Sequence, residues 1–179
     1  MKTNNVTKTL ELGAGHGRDT TFFASNGNEV QALDYSVAAI EILDKIAKEK
    51  RLLIKARVFD VKSPLPFPDG NFDAVYSHML LDMKFSLNEL HFIFSEIKRV
   101  LKPKGLNFFS VRNHNDKSYG KGIEIDKEGI YDINGFQIRF FTKKDVQDLT
   151  MGEGGFELLW IKEEYEEPVT LYLVSSRRV

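Results

Sequence analysis

The stretch that most constrains this chain is the glycine-rich segment TLELGAGHGRD, residues 9–19. Residues 9–12 form a short run that predicts a strand, and glycines then occupy the alternate positions Gly13, Gly15 and Gly17. A helical pattern begins at Arg18. Glycine lacks a Cβ, so its backbone turns tightly and lets a ligand approach, while the following helix directs unpaired N–H groups to the same place. This order of elements predicts a site for a nucleotide-like ligand.

The spacing of the glycines separates the known kinds of nucleotide-binding turn. A dinucleotide fingerprint, G-x-G-x-x-G, requires glycine at position 18, which is arginine here. A P-loop requires a Gly-Lys-Ser/Thr ending, which is absent. What remains is an acidic residue, Glu11, two places before the first of three alternating glycines. An ordinary strand–helix turn is the alternative that the segment alone leaves open.

Length and composition limit the class of protein. The chain has 179 residues, of which 42% are hydrophobic and 28% charged, and this fits one globular domain with a sizeable core. Its 25 basic and 26 acidic residues give a net charge of −1, so no basic field favours nucleic acid or an anionic membrane. No apolar run approaches the ~20 residues that span a bilayer, and the N-terminus lacks the apolar core of a signal peptide. With no cysteine for a disulfide or thiolate site, we expect a cytoplasmic protein.

The hydrophobic pattern alternates between strand and helix periods along the whole chain. Ser36, Ser86 and Thr142 are predicted helix caps, and Glu89 completes a capping box with Ser86. The alternation predicts a single doubly wound, Rossmann-like α/β domain over residues 1–179, with a mostly parallel seven-stranded sheet and an antiparallel last strand. Strands are predicted over residues 9–12, 29–34, 52–59, 73–78, 106–113, 156–165 and 169–176, and helices over residues 18–26, 37–50, 87–101 and 143–151.

Residues 113–141 interrupt this alternation after the fifth strand. A polar, glycine-bearing stretch leads into GIYDINGFQIRFF, a predicted β-hairpin with Asn134-Gly135 at its tip. A connection of this length inside a compact domain is uncommon and tends to be functional. Because it leaves the carboxyl end of a strand, we predict that it covers the substrate side of the ligand site. The alternative is a hairpin that extends the sheet or forms an oligomer contact far from the ligand.

Polar residues stand where the first strands end. In open α/β sheets, ligands bind outside the carboxyl ends of the strands. Beyond the glycine turn, these ends carry Asp34, Asp60 and the pair Ser77-His78. Asp34 lies 19 residues after Gly15, close to the about 20 expected for an acid that accepts hydrogen bonds from ribose hydroxyls. Either acid alone fits a helix cap or turn, but both beside the glycine turn predict a nucleoside site.

From Thr9 to the C-terminus the chain resembles the class I S-adenosylmethionine (SAM)-dependent methyltransferases of the type-11 kind. The segment Glu11-x-Gly13-x-Gly15-x-Gly17 is similar to motif I of that family. GHGRDTTFFASNGNEV, followed by ALDYS, is most similar to small-molecule members such as the tellurite-resistance methyltransferases. FPDGNFDAVYSHMLLDM resembles the stretch around the fourth strand, and EIKRVLKPKGLNFF the last helix and fifth strand. The family usually has a helix before the first strand, for which we expect no room in this sequence.

The resemblance implies SAM as the cofactor and a small-molecule methyl acceptor as the partner. It implies that Glu11 and the glycines surround the methionine part, that Asp34 holds the ribose and that Asp60 accepts from the adenine amino group. Arg18 at the start of the helix is a candidate partner for the methionine carboxylate, with a solvated arginine as the alternative. The residues expected at the cofactor are Glu11, Gly13, Ala14, Gly15, Gly17, Arg18, Asp34, Tyr35, Asp60, Val61 and Ser77.

Methyl transfer places few demands on catalytic side chains. The sulfonium already activates the methyl group, so the protein mainly holds donor and acceptor in line, a contribution of ~7–11 kcal/mol. A general base is needed only where the acceptor must lose a proton. His78, Asp82 and His114, together with Asn113, are the candidates, because they follow the fourth and fifth strands. A structural histidine is the alternative for His78, and no spacing of His, Asp and Glu predicts a metal site.

Two other functions remain open at this point. An NAD-dependent oxidoreductase is disfavoured by Arg18 at the position of the third fingerprint glycine. A non-catalytic SAM-binding or partner-binding module could share the same fold. The sequence does not specify the acceptor or the oligomeric state.

Overall fold

The computed structural model describes residues 6–125, 129–152 and 155–179. The expectation about a leading helix concerns residues 1–5, which lie outside these ranges. The first half of the chain contains β1 (Lys8–Leu12), α1 (Arg18–Ser25), β2 (Glu29–Asp34), α2 (Val37–Lys50), β3 (Ile54–Val58), β4 (Phe72–His78) and α3 (Leu87–Val100). The second half contains β5 (Leu101–Arg112), β6 (Ile123–Glu124), β7 (Ile130–Ile133), β8 (Phe136–Arg139), α4 (Lys143–Met151), β9 (Phe156–Glu166) and β10 (Val169–Arg178).

Seven of these strands form one sheet in the order β3-β2-β1-β4-β5-β10-β9. The pairs among β1 to β5 are parallel, whereas β10 is antiparallel to both of its neighbours. This confirms the predicted mostly parallel sheet with an antiparallel last strand. Because β1 lies between β2 and β4, the strand order reverses beside β1, and the carboxyl ends of β1 and β4 flank a switch point where ligands bind in such sheets.

The alternation of side chains along β1 assigns the two faces of the sheet. Leu10 and Leu12 are fully buried in the large core that also contains α3 and α4 side chains. The ring of Phe94 on α3 meets Phe109 on β5 edge-on, at a centroid distance of 5.4 Å. Glu11 lies between these leucines in sequence, so its side chain is on the opposite face, where α1 lies.

Helix starts follow the predicted caps. The Ser36 hydroxyl accepts from the Ala39 N–H at the start of α2, and Ser86 and Glu89 form the capping box of α3. Thr142 caps α4, where Asp145 completes a second box that sequence reasoning had not identified. These caps satisfy N–H groups that the first helical turn leaves without partners.

Residues 102–105 lie between the predicted helix 87–101 and the predicted strand 106–113, and the structure includes them in β5. β5 begins at Leu101, immediately after α3. Lys104 adopts a φ of 64°, and the pairing with β4 shifts register between Phe72 and Ala74. Leu101 pairs with Phe72 and Leu106 with Ala74, so residues 102–105 form a bulge-like irregularity in which four residues of β5 lie opposite one residue of β4.

The segment inserted after β5 forms a separate three-stranded sheet in the order β6-β7-β8. The predicted hairpin tip is confirmed, with positive φ at Asn134 and Gly135. The segment is anchored on the β4–α3 connection, because the Arg139 N–H donates to the Asp82 carbonyl at 2.8 Å and the Arg139 guanidinium donates to the Phe85 carbonyl at 2.8 Å. The Phe141 N–H donates to the Arg112 carbonyl at the end of β5, at 2.9 Å.

Candidate functional site

All three glycines of the turn after β1 have left-handed backbone conformations. The φ angles are 72° at Gly13, 52° at Gly15 and 81° at Gly17, a region that L-residues rarely adopt. A Cβ on Gly15 would meet no atom within 4 Å, so open space adjoins the turn there. A Cβ on Gly17 would overlap the side chain of Leu43. The glycines thus serve two different purposes, access at Gly15 and packing at Gly17.

Asp34, at the end of β2, holds this turn in place. Its Oδ2 accepts from the Gly15 N–H at 2.8 Å, and its Oδ1 accepts from the Ser36 N–H at 2.8 Å. Asp34 is buried. Each carboxylate oxygen can accept more than one hydrogen bond, so both oxygens keep capacity for a ligand. The acid is therefore a turn residue and a candidate ligand contact at the same time.

A cleft of about 400 Å³ opens beside the turn, and we call it the glycine-turn cleft. Six of the predicted site residues line it, namely Gly13, Asp34, Tyr35, Asp60, Val61 and His78. Sequence reasoning missed the rest of the wall, which consists of Phe59, Lys62 and five residues of the β4–α3 connection, Met79, Leu80, Met83, Lys84 and Phe85. Only their position directly after β3 and β4 could have identified them.

Glu11 lies behind the glycine turn and does not line the cleft. Its side chain is buried under α1, where the Thr20 hydroxyl donates to Glu11 Oε2. Burial raises the pKa of Glu11 to about 8, because the charged form loses its hydration there. The Thr20 hydrogen bond and the nearby Arg18 charge act in the opposite direction and are outweighed.

The raised pKa predicts that Glu11 makes folding stability fall as pH rises. The folded pKa of about 8 exceeds the ordinary 4.5, so the folded state binds the proton more tightly and stability is lost as pH rises between these values. Between pH 5 and pH 8 the free energy of unfolding should therefore decline by roughly 2–4 kcal/mol less in Glu11→Gln than in wild type. Urea unfolding of both proteins at the two pH values measures the difference.

Glu96→Gln is the matched control for this measurement. Its hydrogen bond from Arg99 lowers the pKa of Glu96, so its contribution is lost only as pH falls and adds no decline between pH 5 and pH 8. Equal declines in wild type and Glu11→Gln would show that Glu11 is ionised in the folded protein.

His78, the last residue of β4, is held in one orientation by Ser110. Ser110 Oγ accepts from the Met79 N–H at 3.0 Å and lies 2.8 Å from His78 Nδ1. This hydrogen bond with Ser110 fixes the orientation of the imidazole ring at the end of β4. Nε2 lies 3.6 Å from Glu166 Oε2. Burial lowers the pKa of His78, so a neutral imidazole faces the cleft.

Arg18, a candidate for the methionine carboxylate, binds two carboxylates of the protein itself. Its Nε lies 3.0 Å from Asp19 Oδ1, and its Nη1 lies 3.2 Å from Glu166 Oε1 on β9. The Arg18 side chain is 66% exposed, so it can exchange partners. The Glu166 contact comes from the far end of the chain, and nothing in the segment around Arg18 predicts it.

The three catalytic candidates lie in three different places. Asp82 lines a pocket of about 430 Å³ next to the cleft, which we call the hairpin pocket. That pocket is bounded by Met79, Asp82 and Met83 of the β4–α3 connection, Arg112, Ser118 and five hairpin residues, Ile133, Asn134, Phe136, Gln137 and Ile138. His114 stacks on Tyr119 at a centroid distance of 4.0 Å and lines a separate pocket near α3 and α4. The structure thus brings His78 to the cleft and Asp82 beside it, and places His114 elsewhere.

Two further observations concern the described residues only. No group of three His, Asp or Glu side chains in these ranges could hold a metal ion. Within the same ranges, no helix has the length and apolar character needed to cross a membrane.

The strand order, the glycine turn and the acids at successive strand ends define a class I, Rossmann-like methyltransferase fold. Residues 10–109 match the methyltransferase domain family, and the chain belongs to that family. Sarcosine/dimethylglycine N-methyltransferase of Aphanothece halophytica is 33% identical over 101 residues, which are 55% of this chain and 35% of that protein. Ubiquinone biosynthesis O-methyltransferase of Alkalilimnicola ehrlichii is 31% identical over 111 residues, 62% of this chain and 43% of that protein. The chain therefore spans less than half the length of these curated relatives.

Solved structures show the same fold. A SAM-dependent methyltransferase from Methanosarcina mazei superposes with a TM-score of 0.83 at 23% identity, covering 96% of this chain and 92% of that one. The 1,6-didemethyltoxoflavin-N1-methyltransferase of Burkholderia thailandensis, solved with its substrate and S-adenosylhomocysteine, gives a TM-score of 0.79 at 18% identity, covering 99% of this chain and 73% of that one.

Proposed function

We propose that this chain binds SAM in the glycine-turn cleft and transfers its methyl group to a small-molecule acceptor by in-line displacement. The observation that carries the proposal is the buried Asp34 carboxylate, which accepts from the Gly15 N–H and lines the cleft together with Gly13 of the same turn. The cleft volume of about 400 Å³ lies within the about 300–1,000 Å³ of small-molecule sites. Family membership supports the choice of cofactor.

The residues present fit the parts of SAM. Asp34 keeps acceptor capacity for the ribose hydroxyls. Asp60 at the end of β3 can accept from the adenine amino group, and Phe59, Val61 and Phe85 supply apolar surface for the base. The cofactor roles of all the predicted site residues stay predictions. Six of these residues do not line the cleft, namely Glu11, Ala14, Gly15, Gly17, Arg18 and Ser77.

Bound SAM supplies an already activated methyl group, so the work of the protein is positioning. The neutral imidazole of His78 adds no positive charge against the sulfonium, and its bond to Ser110 fixes the end of β4. Met79 and Leu80 follow at once and form the wall of the cleft. When the protein holds the methyl donor and the acceptor in line, the reaction becomes effectively unimolecular. Such positioning can lower the activation barrier by ~7–11 kcal/mol.

We further propose that residues 113–141 cover the acceptor side of this site. The hairpin residues between Ile133 and Ile138 line the hairpin pocket, which shares Met79 and Met83 with the glycine-turn cleft. A small acceptor suits a pocket of this size. The names of two of these similar proteins refer to small molecules, sarcosine or dimethylglycine in one and 1,6-didemethyltoxoflavin in the other.

Calorimetric titration with SAM and with NAD tests the proposal, using wild type and Asp34→Asn. A charge-assisted hydrogen bond is worth ~1.5–3 kcal/mol, so Asp34→Asn should bind SAM roughly 10- to 100-fold more weakly. Asparagine keeps one acceptor oxygen for the turn, and a thermal melt checks that the fold persists. Asp148→Asn, an exposed carboxylate on α4 that pairs with Lys144, is the control and should bind SAM normally.

The outcomes separate the remaining functions. Equal SAM affinity in wild type and Asp34→Asn would refute the ribose assignment, and binding of NAD in preference to SAM would indicate an oxidoreductase. Binding of SAM without transfer to any of a panel of small acceptors would indicate a non-catalytic module. The cytoplasmic location and the lack of nucleic-acid binding stay predictions for cell fractionation and filter binding.

A further inference from the structure

Building on the proposed function, we infer that the hairpin pocket holds the acceptor, that the acceptor is a phenol or enol, and that Asp82 accepts its proton. A phenol or enol combines flat apolar surface with one weakly acidic hydroxyl. The residues that line the pocket offer both complements, because Met79, Met83 and Phe136 are apolar and Asp82 carries a carboxyl group.

The hairpin pocket is placed for transfer from the glycine-turn cleft. The two cavities share Met79 and Met83 as walls. Met79 has a φ of 51°, a left-handed conformation that is unusual for a side chain of this size and clusters at functional sites. Its N–H donates to Ser110 Oγ at 3.0 Å, which helps to hold the conformation. The two cavities therefore adjoin at Met79 and Met83, where the backbone conformation is fixed.

The Asp82 carboxylate is only partly paired, because the backbone N–H groups of Arg112 and of Asp82 itself stabilise its charge but do not satisfy both of its oxygens. The side chain is 3% exposed, and Oδ2 has no hydrogen-bond partner among the described residues. A buried carboxylate oxygen without a hydrogen bond is costly, and such exceptions need an explanation. A proton acceptor that waits for the hydroxyl of a bound molecule provides one.

Charged groups around Asp82 favour an acceptor that becomes an anion. Arg112 Nε lies 3.6 Å from Asp82 Oδ2, and Arg112 Nη1 lies 4.0 Å from Asp116 Oδ1. Both Asp116 oxygens already accept backbone N–H groups, from Ser118 at 2.8 Å and Thr170 at 2.9 Å. When Asp82 takes up a proton, Arg112 loses its charged partner and stabilises negative charge that develops on the hydroxyl oxygen of the acceptor.

The pKa of Asp82 suits this task. Burial raises the pKa to about 7, against the lowering effect of Arg112, and Asp116 adds to the rise. From β8, Arg139 contributes a backbone N–H to the Asp82 carbonyl, and its guanidinium binds the Phe85 carbonyl. A general base whose pKa lies near the working pH is deprotonated in much of the protein and still binds a proton well.

The step balances without any further reactant. The acceptor O–H bond breaks, and its proton goes to Asp82 Oδ2. A lone pair on the acceptor oxygen forms the new O–CH₃ bond. The bond between the methyl carbon and sulfur breaks, and its electron pair stays on sulfur, which becomes a neutral thioether. The products are a neutral methyl ether, S-adenosylhomocysteine and a protonated Asp82, whose proton passes to solvent when the ether leaves.

The test compares wild type with Asp82→Asn on two probe pairs, measuring the release of S-adenosylhomocysteine. The expected acceptors are 2-naphthol and 1,3-cyclohexanedione, and the contrasting ones are benzylamine and benzyl mercaptan. Asp82→Asn should lower kcat with the hydroxyl acceptors about 100-fold or more, while the Kd for SAM changes by no more than a few fold. Wild-type kcat/KM should rise with pH and level off above about 7, and the variant should lose this dependence.

Asp116→Asn is the matched control, because it removes the charge of the other carboxylate beside Arg112 and leaves the Asp82 side chain in place, so it should only move the midpoint of the pH profile to lower pH. It should keep the rise of kcat/KM with pH in its folded fraction, which a thermal melt quantifies for every variant. Full kcat in Asp82→Asn, or a wild-type preference for benzylamine or benzyl mercaptan, overturns the inference and leaves the proposed function standing. Absence of both SAM binding and transfer in wild type overturns the proposed function, and this inference with it.

Discussion

Replacing residues 121–137 with a short Gly-Ser linker is expected to abolish methyl transfer, while SAM still binds within a few fold of wild type. The replaced residues contribute the hairpin wall of the hairpin pocket, from Ile133 to Gln137. Without that wall the acceptor loses its positioning, and water enters the site. Calorimetry with SAM and product release from the best wild-type acceptor measure the two effects separately.

The limits of the replacement follow from the anchors of the segment. Asp116 is kept because its Oδ2 accepts from the Thr170 N–H at 2.9 Å. Arg139 is kept because it is buried and binds carbonyls of the β4–α3 connection. Removal of either would disturb the core as well as the cover.

Two point substitutions provide a matched pair on the same segment. Phe136 and Ile123 are both exposed, at 68% and 74%, but only Phe136 lines the hairpin pocket. Phe136→Ser should raise KM for the acceptor, and Ile123→Ser should leave it unchanged. The segment would lie outside the acceptor site if methyl transfer survived the linker replacement. The same conclusion would follow if Phe136→Ser and Ile123→Ser had equal effects on KM for the acceptor.

Much of the glycine-turn cleft could be predicted because parallel strands bring their carboxyl ends to one edge. The turn after β1, Asp34 after β2 and Asp60 after β3 were identified from their positions alone, and all contribute to the cleft. The period of the hydrophobic pattern determines which segments are strands, and the topology of open α/β sheets then gives the edge at which their ends meet.

The catalytic candidates could not be placed in this way. A position after a strand indicates an edge of the sheet, but it does not indicate the direction in which the chain leaves that edge. After β5, Asn113 forms a bridge with Phe141, and its amide donates to Glu163 Oε2 on β9 at 3.0 Å. These contacts join distant parts of the sequence, and they accompany a path that takes His114 away from His78 and Asp82.

The sequence also could not show that Asp34 would accept hydrogen bonds from two backbone N–H groups. A cap, a turn residue and a ribose contact each require an acid at a strand end, so the residue type does not distinguish them. The structure gives Asp34 backbone bonds to both Gly15 and Ser36. Because the same carboxylate shapes the turn and faces the cleft, its structural and ligand roles are compatible.

A pair of glycine substitutions should separate the structural and ligand roles of the turn itself. Gly15→Ala and Gly17→Ala both force alanine into a left-handed conformation, which costs about 1–2 kcal/mol. Only at Gly17 does the new methyl group overlap Leu43, which is buried with Ala14 and Ala32. Overpacking of this kind adds about 1–3 kcal/mol, so Gly17→Ala should be the less stable variant in urea unfolding.

The order should reverse for ligand binding. The space beside Gly15 is free of protein atoms within 4 Å, so an alanine methyl there occupies room that we assign to SAM. Gly15→Ala should therefore weaken SAM binding more than Gly17→Ala does, when both are titrated below their melting temperatures. Leu43→Ala added to Gly17→Ala should cost less than the sum of the two single changes, because the overlap is relieved. Equal SAM affinities in the two glycine variants would mean that the open side of the turn does not face the cofactor.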